Sequence, residues 1–292
     1  MTRITALAGI VGISFAAIFV ELADVAPATA AFFRTLYALP LLIVITRLSG
    51  RAVRPRRERL MAFGAGMLLA VDLTLWHTAI DLIGAGLATV LANVQVVWVG
   101  LVAWLLFSER PSRVAFVVVP VVLAGVAMIS GLGQEDAFGE DPVLGTIVGL
   151  IAGIVYASFL LLFRQSNRAR GRPAAPLLDA TAGAVLGSAI IGLFDAGFSL
   201  EVTWPAHGWL LALAVVAQTL GWLFISVALP RLAALETSVM LLLQPALTIV
   251  WARILLTETL SVLQWAGVAV VMGGVLVAGV RGTVSAPAEQ AA

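Results

Sequence analysis

Five side chains able to bind or move a charged solute stand inside long apolar runs: Arg34, Asp72, His77, Gln95 and Gln244. A charge at bilayer depth costs about 2.5 to 3.5 kcal/mol on insertion scales, so each needs a partner or a task. Asp72 offers a carboxylate to a substrate amine or a proton; equally, it can be a structural charge paired with Arg34 or with hydroxyls. His77 follows Asp72 by roughly 140° of helix rotation, with Trp76 between them, so the three can share one broad face. The imidazole either takes part in transport, since histidine titrates near neutral pH, or hydrogen-bonds a neighbouring helix. Gln95 and Trp98, spaced i and i+3, point into the same cavity, flanked by Ala88, Ala92 and Val99. For the alanines, close helix approach is the simpler role. For Arg34, an ion pair or a cap on backbone carbonyls outweighs direct binding of a substrate carboxylate.

The aromatic residues sort by depth. Trp76, Trp98 and Trp222 lie too deep for an interfacial belt and either face lipid or wall a pocket for an apolar or aromatic solute. Trp204, Trp209, Trp251 and Trp265 near outer helix ends, and Trp104 near an inner one, read as belt residues. Tyr156 in GIVYA corresponds to Phe15 in GISFA, and both are expected to line the cavity. Pro40, Pro120 and Pro245 fall mid-helix, where each removes a backbone hydrogen bond and makes a hinge. Glu109 and Glu258 stand in turns, where a carboxylate caps the next helix rather than touching substrate.

The elements that position these groups follow from composition. With 61% hydrophobic and 11% charged residues and a mean hydropathy of +1.08, the chain belongs in a bilayer. The absence of cysteine excludes thiolate chemistry, and His77 and His207 are too few for a histidine-rich metal site, so no metal and no cofactor is expected. A membrane helix needs about 20 apolar residues. Runs of that size are predicted at 4–22, 27–48, 60–81, 84–107, 113–132, 143–164, 177–199, 207–228, 233–255 and 261–280. The first is kept as a span and not read as a cleaved leader, because removing it breaks the repeat described below.

Fifteen of the seventeen arginines fall on one side when both termini are cytoplasmic; only Arg34 and Arg253 do not. The arginine-free loop with Glu135, Asp136, Glu140 and Asp141 then faces out. The stretch around Gln95 and Glu109 recurs 149 positions later around Gln244 and Glu258, as does Gly125 at Gly274. This duplication is offset by five spans, so the halves cross the membrane in opposite senses. The expected fold is therefore an all-α integral membrane protein of ten transmembrane helices in two inverted-topology five-helix repeats. Residues 1–132 form the first repeat, 133–142 a periplasmic linker, 143–281 the second repeat and 282–292 a disordered cytoplasmic tail.

The duplicated apolar run closing on a Glu-bearing turn (Ser108-Glu109-Arg110 and Thr257-Glu258-Thr259), the Gly-rich run after each and the span AFFRTLYALPLLIV with Arg34 resemble the EamA type of the drug/metabolite transporter superfamily. The resemblance covers nearly the whole chain. His77 and Trp98 make it look most similar to bacterial aromatic amino-acid exporters. It implies export of small metabolites, often amino acids, across the bacterial inner membrane by alternating access. One departure stands out: that family often has proline after the position of Gln95, but here Gln95-Val96 faces Gln244-Pro245 in the repeat.

The expectation is thus a secondary transporter exporting aromatic or apolar amino acids or similar metabolites, with proton coupling as an option. Its partners are a small-molecule substrate and membrane lipids, without nucleic acid, and it is not an enzyme. The rival within transporters is a cationic drug exporter using Asp72; a phosphorylated-sugar exchanger would want more deep basic groups than Arg34. A membrane-embedded enzyme lacks G-x-S-x-G and H-E-x-x-H, and a scaffold has little need of Asp72 and His77. The copies differ where Trp98 meets Leu247, Val96 meets Pro245 and His77 meets Ser226. The substrate is accordingly expected nearer the first half.

Overall fold

The computed structural model describes residues 2–49, 54–95, 98, 115–129, 134, 136–166, 174–228 and 234–282. Glu109 and Trp104 lie outside the described residues, as does the tail expected from 283 onward. The described chain is helical: α1 Thr2–Ser14, α2 Ala16–Ala23, α3 Pro27–Leu48, α4 Arg56–Ala92, α5 Ala115–Ile129, α6 Pro142–Ser166 and α7 Ala174–Gly192. There follow α8 Ala206–Ala212, a π-helical turn π1 Leu213–Gly221, α9 Trp222–Ala228, α10 Ala234–Leu255 and α11 Val262–Gly282. Among the described residues, six helical segments are long and apolar enough to cross a membrane, and shorter apolar helices cover Val117–Ile129, Leu243–Leu255 and Val262–Val277.

Local chemistry sets the boundaries. α3 opens with Pro27 at its first turn, and α6 with Pro142 behind Asp141, whose Oδ1 accepts from Leu144 N at 3.0 Å. α4, at 37 residues, would be about 55 Å long if straight, nearly twice the hydrocarbon thickness. It is broken at Gly84, whose φ of 81° is open to glycine and strained for other residues. α11 starts with a capping box: Gln264 N donates to Ser261 Oγ (3.2 Å) and Ser261 N donates to Gln264 Oε1 (3.0 Å). Gln264 also accepts from Phe138 N at 2.9 Å and donates to Phe138 O at 3.1 Å, tying the 136–141 loop to α11. Gln264→Ala strips these groups of partners and should lower stability by about 1 to 3 kcal/mol, read as a melting shift in detergent. Gln264→Glu, which keeps the acceptor but turns a carboxyl oxygen toward the Ile129 and Phe138 carbonyls, should be destabilising as well.

The expected helix 177–199 ends at Gly192. Leu193, Phe194 and Phe198 continue the apolar pattern, but the Asp195–Gly197 turn folds the chain back, with Gly197 N donating to Asp195 Oδ1 at 2.9 Å. Phe198 then packs edge-on against Phe32 at 5.6 Å, and Ser199 N donates to Thr29 Oγ1 at 3.0 Å.

Small residues let helices touch. A methyl group on Gly66 would strike the Ala180 carbonyl, and one on Gly183 the Phe63 carbonyl, so the backbones of α4 and α7 are in contact there. Just before α4, the Arg54 guanidinium binds Asp179 Oδ2 at 2.5 Å and Ser166 O at 2.8 Å, tying the entry to α4 to α6 and α7. α5 and α11 pack through Gly125 against Val271 and Gly267, and through Gly274 against Val122 and Val118. These contacts are images of one another under the 149-residue repeat, since 125 maps to 274, 271 to 122 and 267 to 118.

Candidate functional site

Asp72, Trp76 and His77 are buried together on α4, and α3 brings Arg34 against them at 4% exposure. The guanidinium lies over the Trp76 ring, 5.8 Å from its centroid. Its Nε donates to Gln218 Oε1 at 3.0 Å, and its Nη1 stands 3.4 Å from His77 Nε2. His77 Nδ1 lies 3.1 Å from the Pro27 carbonyl. Since a carbonyl only accepts, Nδ1 carries the proton and Nε2 is left to accept from Arg34. His77 is therefore a neutral linker between α3 and α4, and it reaches the centre through Arg34.

Gln218 was not singled out in the sequence. It sits in π1, where the wider turn moves it off the regular helical register, and Thr219 Oγ1 satisfies the Ala214 carbonyl at 2.8 Å. The signal was the polar pair Gln218-Thr219 in the middle of an apolar run. A second missed pair is Tyr37 and His207. The Tyr37 hydroxyl lies 2.7 Å from His207 Nδ1, while His207 Nε2 donates to the Glu201 carbonyl at 2.9 Å.

The electrostatics of the centre are incomplete. The charges of Asp72 and Arg34 interact, yet among the described ion pairs none joins them. Among the described residues, Trp76 Nε1, Gln218 Nε2 and Trp98 Nε1 are buried without an acceptor and Gln95 Oε1 without a donor. Dry, unpaired donors are costly, so this arrangement has capacity for an acceptor-rich solute group.

An aromatic wall adjoins the charges. Tyr156 on α6 interacts electrostatically with Asp72 and Arg34 and stacks on Phe159, 5.7 Å away, which meets Trp222 edge-on at 6.3 Å. Gly153, one turn before Tyr156, faces the Trp98 indole: a methyl there would sit 3.3 Å from its Cδ1. Gln244 is half-buried on α10. Phe15 packs elsewhere, stacked on Trp251 at 4.8 Å, and Trp251 Nε1 donates to Ser14 Oγ at 3.1 Å. Trp251, half-buried, thus also packs against the end of α1, and Trp209, half-buried too, stacks on Phe19 at 6.0 Å. Trp204 and Trp265 are exposed.

The prolines lie inside continuous helices, with Pro40 and Pro120 exposed and Pro245 buried. Within the described spans the helical register breaks at Phe15, between α1 and α2, at Gly84 and in π1, and in none of these at a proline. Glu258 does not cap the following helix, which Ser261 caps; its carboxylate accepts from Ala85 N at 2.6 Å and Gly86 N at 3.1 Å. Burial outweighs these two donors and holds the Glu258 carboxyl above the usual range.

The comparisons agree with this architecture. The profile of the EamA-like transporter family matches residues 3–131 and again 143–280. An uncharacterized transporter of Synechocystis sp. is 26% identical over 251 residues, covering 82% of this chain and 75% of that protein. A solved crystal structure shares the fold, with a TM-score of 0.65 at 15% identity over 95% of this chain and 97% of its own. A multi-pass membrane transporter of small molecules, this chain belongs to the EamA-like transporter family.

Proposed function

We propose that the protein exports amino acids with apolar or aromatic side chains across the bacterial inner membrane by alternating access. The observation that carries this reading is the buried, unjoined Arg34–Asp72 pair beside the orphan donors of Trp76 and Gln218. A zwitterion completes it. The carboxylate takes the guanidinium, indole and amide N–H groups, the ammonium takes Asp72, and the side chain lies against Trp76, Trp98, Tyr156 and Trp222. Phe15 and Gln244 belong to the remoter wall, and Pro40, Pro120 and Pro245, each lacking a backbone donor, are the points at which their helices flex during the cycle.

Ten transmembrane helices in two inverted five-helix repeats form the scaffold, with both termini cytoplasmic. Three features support this: the arginine distribution, the break at Gly84 that divides α4, and the mirrored α5–α11 contacts around Gly125 and Gly274. Arg34 and Gln218 come from opposite halves, so relative motion of the halves remakes the site. Proton coupling would pass through Asp72.

The test is competition for labelled phenylalanine uptake into proteoliposomes. Unlabelled phenylalanine and tryptophan should compete, whereas phenylalaninamide, lacking the carboxylate, and 3-phenylpropanoate, lacking the ammonium, should compete about ten-fold less well or worse. Transport of hydrophobic cations without amino acids would favour the drug-exporter reading through Asp72.

A further inference from the structure

The break in α4 exposes backbone groups that the membrane cannot hydrate. On its leading side, the Leu82 carbonyl accepts from Asp141 N at 3.2 Å. On its trailing side, the amides of Ala85 and Gly86 are taken by both oxygens of Glu258, a residue 6% exposed. Glu258 belongs to the turn between α10 and α11, so one half of the molecule caps the helix of the other. That turn is itself held: Thr257 has a φ of 58°, Glu258 N donates to the Ala252 carbonyl at 3.3 Å, and Arg253 Nη1 donates to the Glu258 carbonyl at 3.2 Å.

Among the described ion pairs none reaches the Glu258 carboxylate. Its charged neighbours are Arg253, held on the Glu258 carbonyl, and Glu21 on α2, which also feels Asp24; Asp81 on α4 feels Glu21, Asp24 and Glu140 of the 136–141 loop. The carboxylate is therefore compensated by two amide N–H groups and the positive end of a helix, opposed by like charge.

We propose that Glu258 is the outer-gate residue of the transport cycle: its carboxylate latches the α10–α11 turn to the broken helix α4, and the outer path opens when these two hydrogen bonds part. The word outer rests on the orientation proposed above. The steric fit supports the pairing, because a methyl on Gly84 would lie 2.8 Å from Glu258 Oε1 and 2.6 Å from the Phe138 ring.

The chain has no cysteine, so single reporters can be read without background. Ala88→Cys, on a fully buried position one turn beyond the cap, reports the outer path; Ala174→Cys, buried at the start of α7, reports the inner end. Labelling by a membrane-impermeant maleimide is measured in intact cells for the first and in inverted vesicles for the second. Glu258→Ala should speed labelling at position 88 by about ten-fold or more, with Glu258→Gln, which keeps one acceptor, in between. The rate at position 174 should stay level or fall. Gly84→Ala should reproduce the effect from the other side of the contact and add nothing to Glu258→Ala. Unchanged labelling at position 88 in a Glu258→Ala protein that melts normally overturns the latch, as does a rise at both reporters. Acceleration at position 88 only in inverted vesicles overturns its placement on the outer side. None of these readouts needs a transported substrate, so failure of the amino-acid reading leaves them interpretable.

Discussion

Arg34→Ala should abolish saturable transport and lower the melting temperature, whereas Arg34→Ala combined with Asp72→Asn should recover the melting temperature and not the transport. Arg34 is 4% exposed and serves Gln218, His77 and the Trp76 face at once. Its removal takes away the nearby cation whose charge offsets that of Asp72, a loss below the about 3 to 5 kcal/mol of a broken contact pair because the two are not joined. Neutralising Asp72 removes that cost. It cannot restore a receptor for a carboxylate, so the double variant separates holding the fold from holding the substrate. Arg34→Lys makes the same point differently: an ammonium keeps the charge but not the planar fork. Transport should fall by roughly 10- to 150-fold, the range of a lost charge-assisted hydrogen bond of about 1.5 to 3 kcal/mol. Initial rates in proteoliposomes and melting in detergent check the three variants together.

Gly66→Ala should be among the most destabilising single-methyl changes in the protein, while Gly64→Ala, one turn-face away on the same helix, should be neutral or stabilising. At Gly66 the added carbon meets the Ala180 carbonyl and lies 2.8 Å from Ala184 N, so relief requires α4 and α7 to separate. Backbone cannot rotate aside as a side chain can, and overpacking of this kind costs about 3 kcal/mol or more. At Gly64 the nearest atom is Leu162 Cδ2 at 4.0 Å, leaving the helix-propensity gain of up to about 1 kcal/mol. Because α4 also carries Asp72, Trp76 and His77, the Gly66 variant should lose transport along with stability. A melting difference between the two variants of about 6 °C or more is expected.

What could be read from the sequence was local. Pro142 announces the start of α6 and Pro27 that of α3, and the runs 60–81 and 84–107 part where α4 is divided, because prolines and turns act within a few residues. The deep charges were legible too, since polar groups in apolar runs stand out whatever they touch. Their partners were not. Glu258 was assigned to its neighbouring helix because a capping carboxylate usually is local; its actual amides lie 172 and 173 residues away in sequence. Trp251 could be read by depth alone, and only the fold brings Phe15 and Ser14 to it. Gln218 escaped because a regular 3.6-residue register does not mark it, whereas the π turn does. The end of α7 at Gly192 was hidden by apolar residues that go on to cover α3 from outside the helix.

The pairing of Arg34 with a residue from each half explains why one buried cluster serves both structure and transport. His77 and Gln218 hold the guanidinium in place, and the unjoined Asp72 and the bare Trp76 indole leave room for a solute's own charges. The measurement that tests this most directly is uptake of labelled phenylalanine into proteoliposomes carrying the wild-type chain, the Arg34→Ala Asp72→Asn variant, or no protein. Saturable uptake by the wild type alone, with the folded double variant at the level of protein-free vesicles, is the result predicted. Equal uptake by both proteins, or wild-type uptake of phenylalanine, threonine and tryptophan no greater than that of empty vesicles, would contradict it.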